Sequence, residues 1–112
     1  MKMKKETRIR REVKRLCAFY VDLPEDKQTI ARTLIEQAAF MRATLEDLQD
    51  DINQKGVSDE YTNGEHQRGV KATAEFKAYN TLVKSYTSVM KQLDKMLPKK
   101  AASNRLLDFI NR

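Results

Sequence analysis

Residues 30–52 read IARTLIEQAAFMRATLEDLQDDI, and their pattern is the strongest indication of the fold. Its apolar side chains recur in steps of three and four residues, which predicts one long helix with a continuous apolar stripe. Pro24, Glu25 and Asp26 mark its start, because proline suits a first helical turn and carboxylates there favour the helix dipole. Gly56 predicts its end. The stripe consists of Ile30, Leu34, Ala38, Met41, Leu45, Leu48 and Ile52.

A second stripe of the same kind lies in residues 73–97 and ends before Pro98. Two long helices joined by a short connector are expected to fold back on each other, so we predict an antiparallel helical hairpin in an all-α protein. This pairing would bring the acidic end of the first helix, residues 46–51, close to Lys71 and Lys77. The second stripe consists of Phe76, Tyr79, Val83, Tyr86, Met90, Leu93 and Leu97.

The connector, residues 57–70, reads VSDEYTNGEHQRGV and breaks the helical pattern. Asn63-Gly64 is the favoured pair for a two-residue type I′ turn, which predicts a short β-hairpin with residues 59–61 paired to residues 65–67. An irregular loop is the alternative, because the flanking residues include few β-branched side chains.

The net charge of +6 is concentrated in residues 1–20, which contain eight basic and two acidic side chains. Apolar residues at helical spacing from Ile9 to Tyr20 predict a helix over residues 5–20. Its basic side chains are candidates for contact with a polyanion such as double-stranded DNA, although a solvated helix face is the simpler alternative. No helix-turn-helix is evident, so we expect salt-sensitive phosphate contacts rather than base readout. The candidate DNA-binding residues are Lys4, Lys5, Arg8, Arg10, Arg11, Lys14 and Arg15, of which Lys4, Arg8, Arg11 and Arg15 are predicted to share one face.

Several apolar residues fall outside the two stripes, and a two-helix rod has no room to bury them. We predict that they contact a second copy of the chain, which makes the protein a homo-oligomer. In the alternative, the basic helix covers them and the chain is a monomeric three-helix bundle. The predicted self-association residues are Ile35, Ala39, Phe40, Leu82 and Val89. The predicted organisation is a basic helix (1–20), a helical hairpin (24–98) and a tail with a short helix (99–112).

No catalytic, metal or cofactor site is predicted. His66 and Cys17 are the only histidine and cysteine, and they share no known motif. A structural zinc site needs several such ligands, and the three glycines match no phosphate-binding loop. The longest apolar run is far shorter than the ~20 residues that span a bilayer. We therefore expect a cytoplasmic, non-enzymatic binding protein.

Residues 26–99 resemble the small terminase subunits of tailed phages and prophages, in a group common in Gram-positive hosts. The resemblance lies in the order of a long helix, the linker GVSDEYTNGEHQRGVK, a second helix AEFKAYNTLVKSYTSVMKQLDKMLP and the terminal LLDFINR. It implies a ring-forming adaptor that binds viral DNA in the host cytoplasm and delivers it to the large terminase subunit. It also implies that the large subunit is contacted by the tail residues Leu106, Leu107, Phe109 and Ile110.

Many small terminase subunits begin with a helix-turn-helix, whereas a single basic helix precedes the hairpin here. Many copies of that helix in one ring would compensate through multivalency. The second functional hypothesis is a helical protein-binding adaptor, regulator or scaffold protein without nucleic-acid binding.

Overall fold

The computed structural model describes residues 3–62 and 68–98, with side chains for residues 3–58 and 72–98. The fold is all-α in class: a long central helix packs against one helix on each side. Two short antiparallel strands connect the second and third helices. The elements are α1 (Lys5–Cys17, continued by a 3-10 turn, Ala18–Tyr20), α2 (Glu25–Lys55), β1 (Ser58–Thr62), β2 (Arg68–Ala72) and α3 (Ala74–Lys95).

The bounds of α2 follow from local chemistry, and both predicted ends are confirmed. Pro24 caps the start, and Glu25 and Asp26 occupy the first turn. At the other end the amide of Gly56 donates a hydrogen bond of 2.7 Å to the carbonyl of Ile52. Gly56 has a φ of 84°, a backbone conformation that residues with side chains rarely adopt, while no atom outside its immediate chain neighbours lies within 4 Å of where a Cβ would stand. Glycine is needed there for its backbone conformation and not for space.

The core lies where all three helices meet, at the first half of α2. Small alanine side chains on α2 let α1 and α3 approach the helix closely, and larger side chains from both neighbours fill the space between them. The buried residues of this cluster are Ala31, Ile35 and Ala38 of α2, Leu16 of α1, Tyr20 of the 3-10 turn, Val89 and Leu93 of α3, and Leu97 just beyond α3.

The predicted self-association surface is wrong for three of its five residues. Ile35, Ala39 and Val89 are at most 7% exposed within a single chain. Ile30, which was expected in the core, is 57% exposed. The reason is that α2 packs against two helices instead of one. Its buried face is therefore wider than the predicted stripe, and the centre of that face is shifted by about one residue. Around the first half of α2, the observed arrangement is therefore the three-helix bundle of the alternative prediction.

Beyond Asp47, α2 has only α3 beside it. The arginine nearest the start of α1, Arg8, reaches Ala43 and Asp47 of α2. Beyond that point α1 offers no cover, and apolar side chains of both remaining helices stay only half-buried. These residues, which we call the two-helix end, are Leu48, Ile52, Phe76, Tyr79, Leu82 and Val83.

The predicted strand register is wrong. Residues Asp59, Glu60 and Tyr61 pair with Lys71, Val70 and Gly69, four positions beyond the expected partners. Pairing begins at the helix ends, because the amide of Thr73 donates to the carbonyl of Val57 across 3.1 Å. Five residues, 63–67, therefore connect the strands instead of two. The expected Asn63-Gly64 turn lies outside the described residues, as does the predicted tail helix.

Thr73 joins this connector to α3. Its side chain is buried, and its hydroxyl oxygen accepts a hydrogen bond of 3.2 Å from the amide of Phe76, which satisfies a donor of the first helical turn. The same hydroxyl donates to the carbonyl of Gly56 at 3.4 Å. Thr73 thus links the end of α2 to the start of α3.

Candidate nucleic-acid interface

The basic helix α1 lies along α2 as far as Asp47 and runs antiparallel to it. Leu16 and, just beyond the helix, Tyr20 anchor it in the core. On the opposite side of α1 the side chains reach solvent. Four of the seven predicted DNA-binding residues lie on this exposed side, which we call the basic face: Lys4, Arg10, Arg11 and Lys14.

Arg8 does not belong to this face. Its guanidinium donates to the carbonyl of Ala43 at 3.2 Å and to the carboxylate of Asp47 at 2.8 Å, and its side chain is only 11% exposed. A longer contact of 3.9 Å reaches Glu46. The acidic end of α2 was expected to face Lys71 and Lys77, but two of its carboxylates instead face α1.

Arg15 is also directed inward. Its Nε donates to the carboxylate of Glu12 at 2.5 Å, and the other oxygen of Glu12 lies 3.0 Å from the Nε of Arg42 in α2. Glu12 itself is 9% exposed, so this charge cluster sits inside the α1–α2 contact. The four residues predicted to share one face, Lys4, Arg8, Arg11 and Arg15, are therefore divided: Lys4 and Arg11 are exposed, whereas Arg8 and Arg15 are engaged by carboxylates in or beside the α1–α2 contact. Successive helical residues are about 100° apart, and the α2 contact cuts through the predicted stripe.

Lys5 occupies an intermediate position. Its ammonium group stands 4.5 Å from the centre of the Phe40 ring, a distance typical of a cation–π contact. Phe40, which was predicted to face a second copy, is 55% exposed. Leu82, from the same predicted set, is half-buried at the two-helix end. The predicted tail contacts Leu106, Leu107, Phe109 and Ile110, and also His66, lie outside the described residues.

An open groove of about 560 Å³ runs along the basic face where α1 meets α2. Its lining contains four cationic side chains and no acidic one. Arg32, which was not among the predicted site residues, belongs to α2 and lines this groove next to the buried Ala31. Its position becomes evident only once the register of α1 on α2 is known. The groove, which we call the basic groove, is lined by Thr7, Arg10, Arg11, Val13, Lys14, Cys17 and Arg32.

Two general properties of the described residues bear on function. None of the helices combines the length and the apolar composition needed to cross a membrane. No group of three or more histidine, cysteine, aspartate or glutamate side chains within residues 3–58 and 72–98 is arranged to hold a metal ion. The distinctive feature of this part of the chain is thus the positive charge along α1.

The chain was compared with protein-family models, with curated proteins and with solved structures, and none of them matches it. Function is therefore inferred from the charge and geometry of α1 and α2, together with the sequence features described above.

Proposed function

We propose that this chain is a small terminase subunit, a non-catalytic adaptor that binds double-stranded DNA. In this role it delivers viral DNA to a large terminase subunit in the host cytoplasm. The observation that carries the proposal is the basic face of α1: Lys4, Arg10, Arg11 and Lys14 are all exposed to solvent. The order of helices and linker that resembles small terminase subunits supports it independently.

The electrostatics of the basic face favour a polyanion. None of its four residues forms an ion pair with another described residue, so their charges are not already neutralised within the described fold. DNA releases condensed counterions as each phosphate is neutralised, and the affinity then falls with salt by a logarithmic slope of about 0.9 per contact. Four contacts per chain predict a slope of roughly −3 to −4.

Charge reversal tests this proposal directly. We expect the triple variant Arg10→Glu, Arg11→Glu and Lys14→Glu to lose at least tenfold in affinity for a fluorescein-labelled duplex, measured by anisotropy at about 50–200 mM salt. The matched control reverses three exposed lysines of α3, Lys84, Lys91 and Lys95, and changes the net charge equally.

Two outcomes would contradict the proposal. Equal losses in both variants would mean that overall charge, and not α1, governs binding. A wild-type chain that leaves the duplex unbound at the lowest salt would remove DNA as a partner and would favour the protein-binding adaptor instead.

Self-association belongs to the same proposal. Of the five residues predicted to contact a second copy, Phe40 and Leu82 remain available at the surface or close to it. They belong to different helices, and a closed ring requires two different surfaces that match each other. A ring would present one basic face per subunit, so weak phosphate contacts would combine into a stable complex.

A further inference from the structure

We propose that the basic groove seats the sugar–phosphate backbone of the bound nucleic acid, and that Arg32 of α2 is a phosphate-binding residue of this site. This inference rests on the proposed DNA binding and specifies where on the chain the backbone lies. It adds a second helix to an interface that the sequence places on α1 alone.

The composition of the groove indicates an anionic ligand. Arg10, Arg11 and Lys14 line it from α1, which forms one wall, and Arg32 lines it from α2, which forms the other; the lining itself contains no carboxylate. Thr7 adds a hydroxyl, a group that commonly donates to phosphate oxygens. Hydrogen bonds to charged groups of this kind are roughly twice as strong as neutral ones.

Two half-buried residues of the lining, Val13 and Cys17, which we call the floor of the groove, are different in character. Val13 and Cys17 are half-buried and pack against the core cluster, so the floor is fixed by the fold. A fixed apolar floor between cationic walls accommodates the sugar of a nucleotide while the walls contact its phosphates. Cys17 is also the only cysteine of the chain, which makes it a specific reporter of occupancy.

Arg32 is suited to exchange its present partner for a phosphate. Its Nε lies 3.0 Å from the carboxylate of Glu36, and both side chains are about 60% exposed. An exposed pair of this type contributes little to stability, so a phosphate that binds the guanidinium competes with Glu36 at low cost. The planar guanidinium presents several further donors for this purpose.

The position of Arg32 relative to the cationic side chains of α1 depends on how α1 packs against α2. Because Arg8 and Glu12 hold α1 against α2 through Asp47 and Arg42, the two walls of the groove keep a fixed separation. Phosphate binding at this site therefore requires the folded bundle and not only the basic sequence of α1.

The first test is the single substitution Arg32→Gln, compared with Lys27→Gln. Both residues are exposed on α2, and both changes remove one positive charge, but only Arg32 lines the basic groove. In duplex anisotropy titrations of the full chain, Arg32→Gln is expected to lower the affinity about fivefold and the salt slope by about one, whereas Lys27→Gln leaves both within about twofold of wild type.

The second test measures alkylation of Cys17 by N-ethylmaleimide. Saturating duplex is expected to slow the reaction at least about fivefold in the wild type, because a backbone in the groove would cover the floor. If Arg32→Gln binds duplex no more weakly than Lys27→Gln, or if bound duplex leaves Cys17 fully reactive, the groove is not the phosphate site although the proposed function stands. Failure of the wild type to bind duplex would instead overturn the proposed function itself.

A third arm separates nucleic acid from an acidic protein. Poly-L-glutamate, added at the same concentration of negative charge as the duplex, is expected to protect Cys17 much less. Equal or better protection by the polypeptide would assign the groove to an acidic protein partner and overturn the inference.

Discussion

Glu12 lies between two guanidinium groups and defines how α1 meets α2. Its two carboxylate oxygens receive Arg15 from the same helix and Arg42 from α2, and the residue is almost fully buried. A buried carboxylate is stable when it is paired and hydrogen-bonded in this way. Part of the positive charge that the sequence displays near its start is therefore used inside the molecule to attach one helix to another.

Replacing Glu12 by alanine is expected to lower the free energy of unfolding by about 1–3 kcal/mol, because two partly buried guanidinium groups lose their counter-charge. Urea denaturation measures this change. Glu36→Ala is the matched control: it breaks an arginine pair of similar length at an exposed site and should cost less than about 0.5 kcal/mol. Similar losses in the two variants would contradict a structural role for the Glu12 cluster.

The separation of α1 into internal and external charges could not be predicted from its sequence. Helical spacing correctly places Leu16 in the core, since apolar periodicity reports burial directly. It does not report which polar positions border the neighbouring helix. Arg8 and Arg11 are equally basic, and only the register of α1 on α2 buries the first and exposes the second.

At the scale of elements, the ends of α2 were predictable and its buried face was not. Pro24 and Gly56 act through their own backbone chemistry, so their effect does not depend on the rest of the fold. The buried face depends on how many helices pack against α2. An apolar stripe that faces a single neighbouring helix would include Ile30, whereas packing of α2 between two helices buries Ile35 and Ala39 and leaves Ile30 exposed.

The junction between α2 and α3 carries an ion pair that titrates. Lys55 donates to the carboxylate of Glu75 at 2.9 Å. This hydrogen bond is the largest cause that lowers the pKa of Glu75 below its ordinary 4.5, and a hydrogen bond involving its own backbone adds to the effect. Because the folded pKa is the depressed one, the contribution of Glu75 to stability is present above pH 4.5 and is lost as the pH falls through the lower folded value.

Glu75→Gln is therefore expected to lower the melting temperature slightly at neutral pH and to have no effect at a pH below the folded pKa of Glu75. Melting curves of both proteins, recorded across the acid range, test this convergence. In a Lys55→Gln background the same substitution should change little, since the partner is already absent. A constant difference between wild type and Glu75→Gln at every pH would show that ionisation of Glu75 is not responsible.

At the scale of the whole chain, the two ends of α2 differ in how completely they are covered. The first half is enclosed by α1 and α3, whereas the two-helix end retains half-buried apolar residues that only α3 and α2 share. The charge is distributed in the same unequal way, with the basic face beside the enclosed half. One part of the molecule is thus suited to contact a polyanion, and the other to contact an apolar surface such as a second copy.

If self-association uses the residues that remain accessible, Leu82→Lys and Phe40→Lys should each weaken it at least tenfold, because an ammonium buried without a partner costs more than about 1.4 kcal/mol. Sedimentation equilibrium over a range of concentrations measures the change. Ile30→Lys is the control, since Ile30 is equally exposed on α2 but was not predicted to contact another copy. Phe40 is more than half exposed, so Phe40→Lys is expected to fold even if Leu82→Lys does not. A wild-type chain that sediments as a monomer at every concentration, or an Ile30→Lys variant that dissociates as readily as the other two, would contradict assembly through these residues.

Loss of assembly in Phe40→Lys should also reduce the affinity for a long duplex far more than for a short one, because only an oligomer places several basic faces on the same DNA.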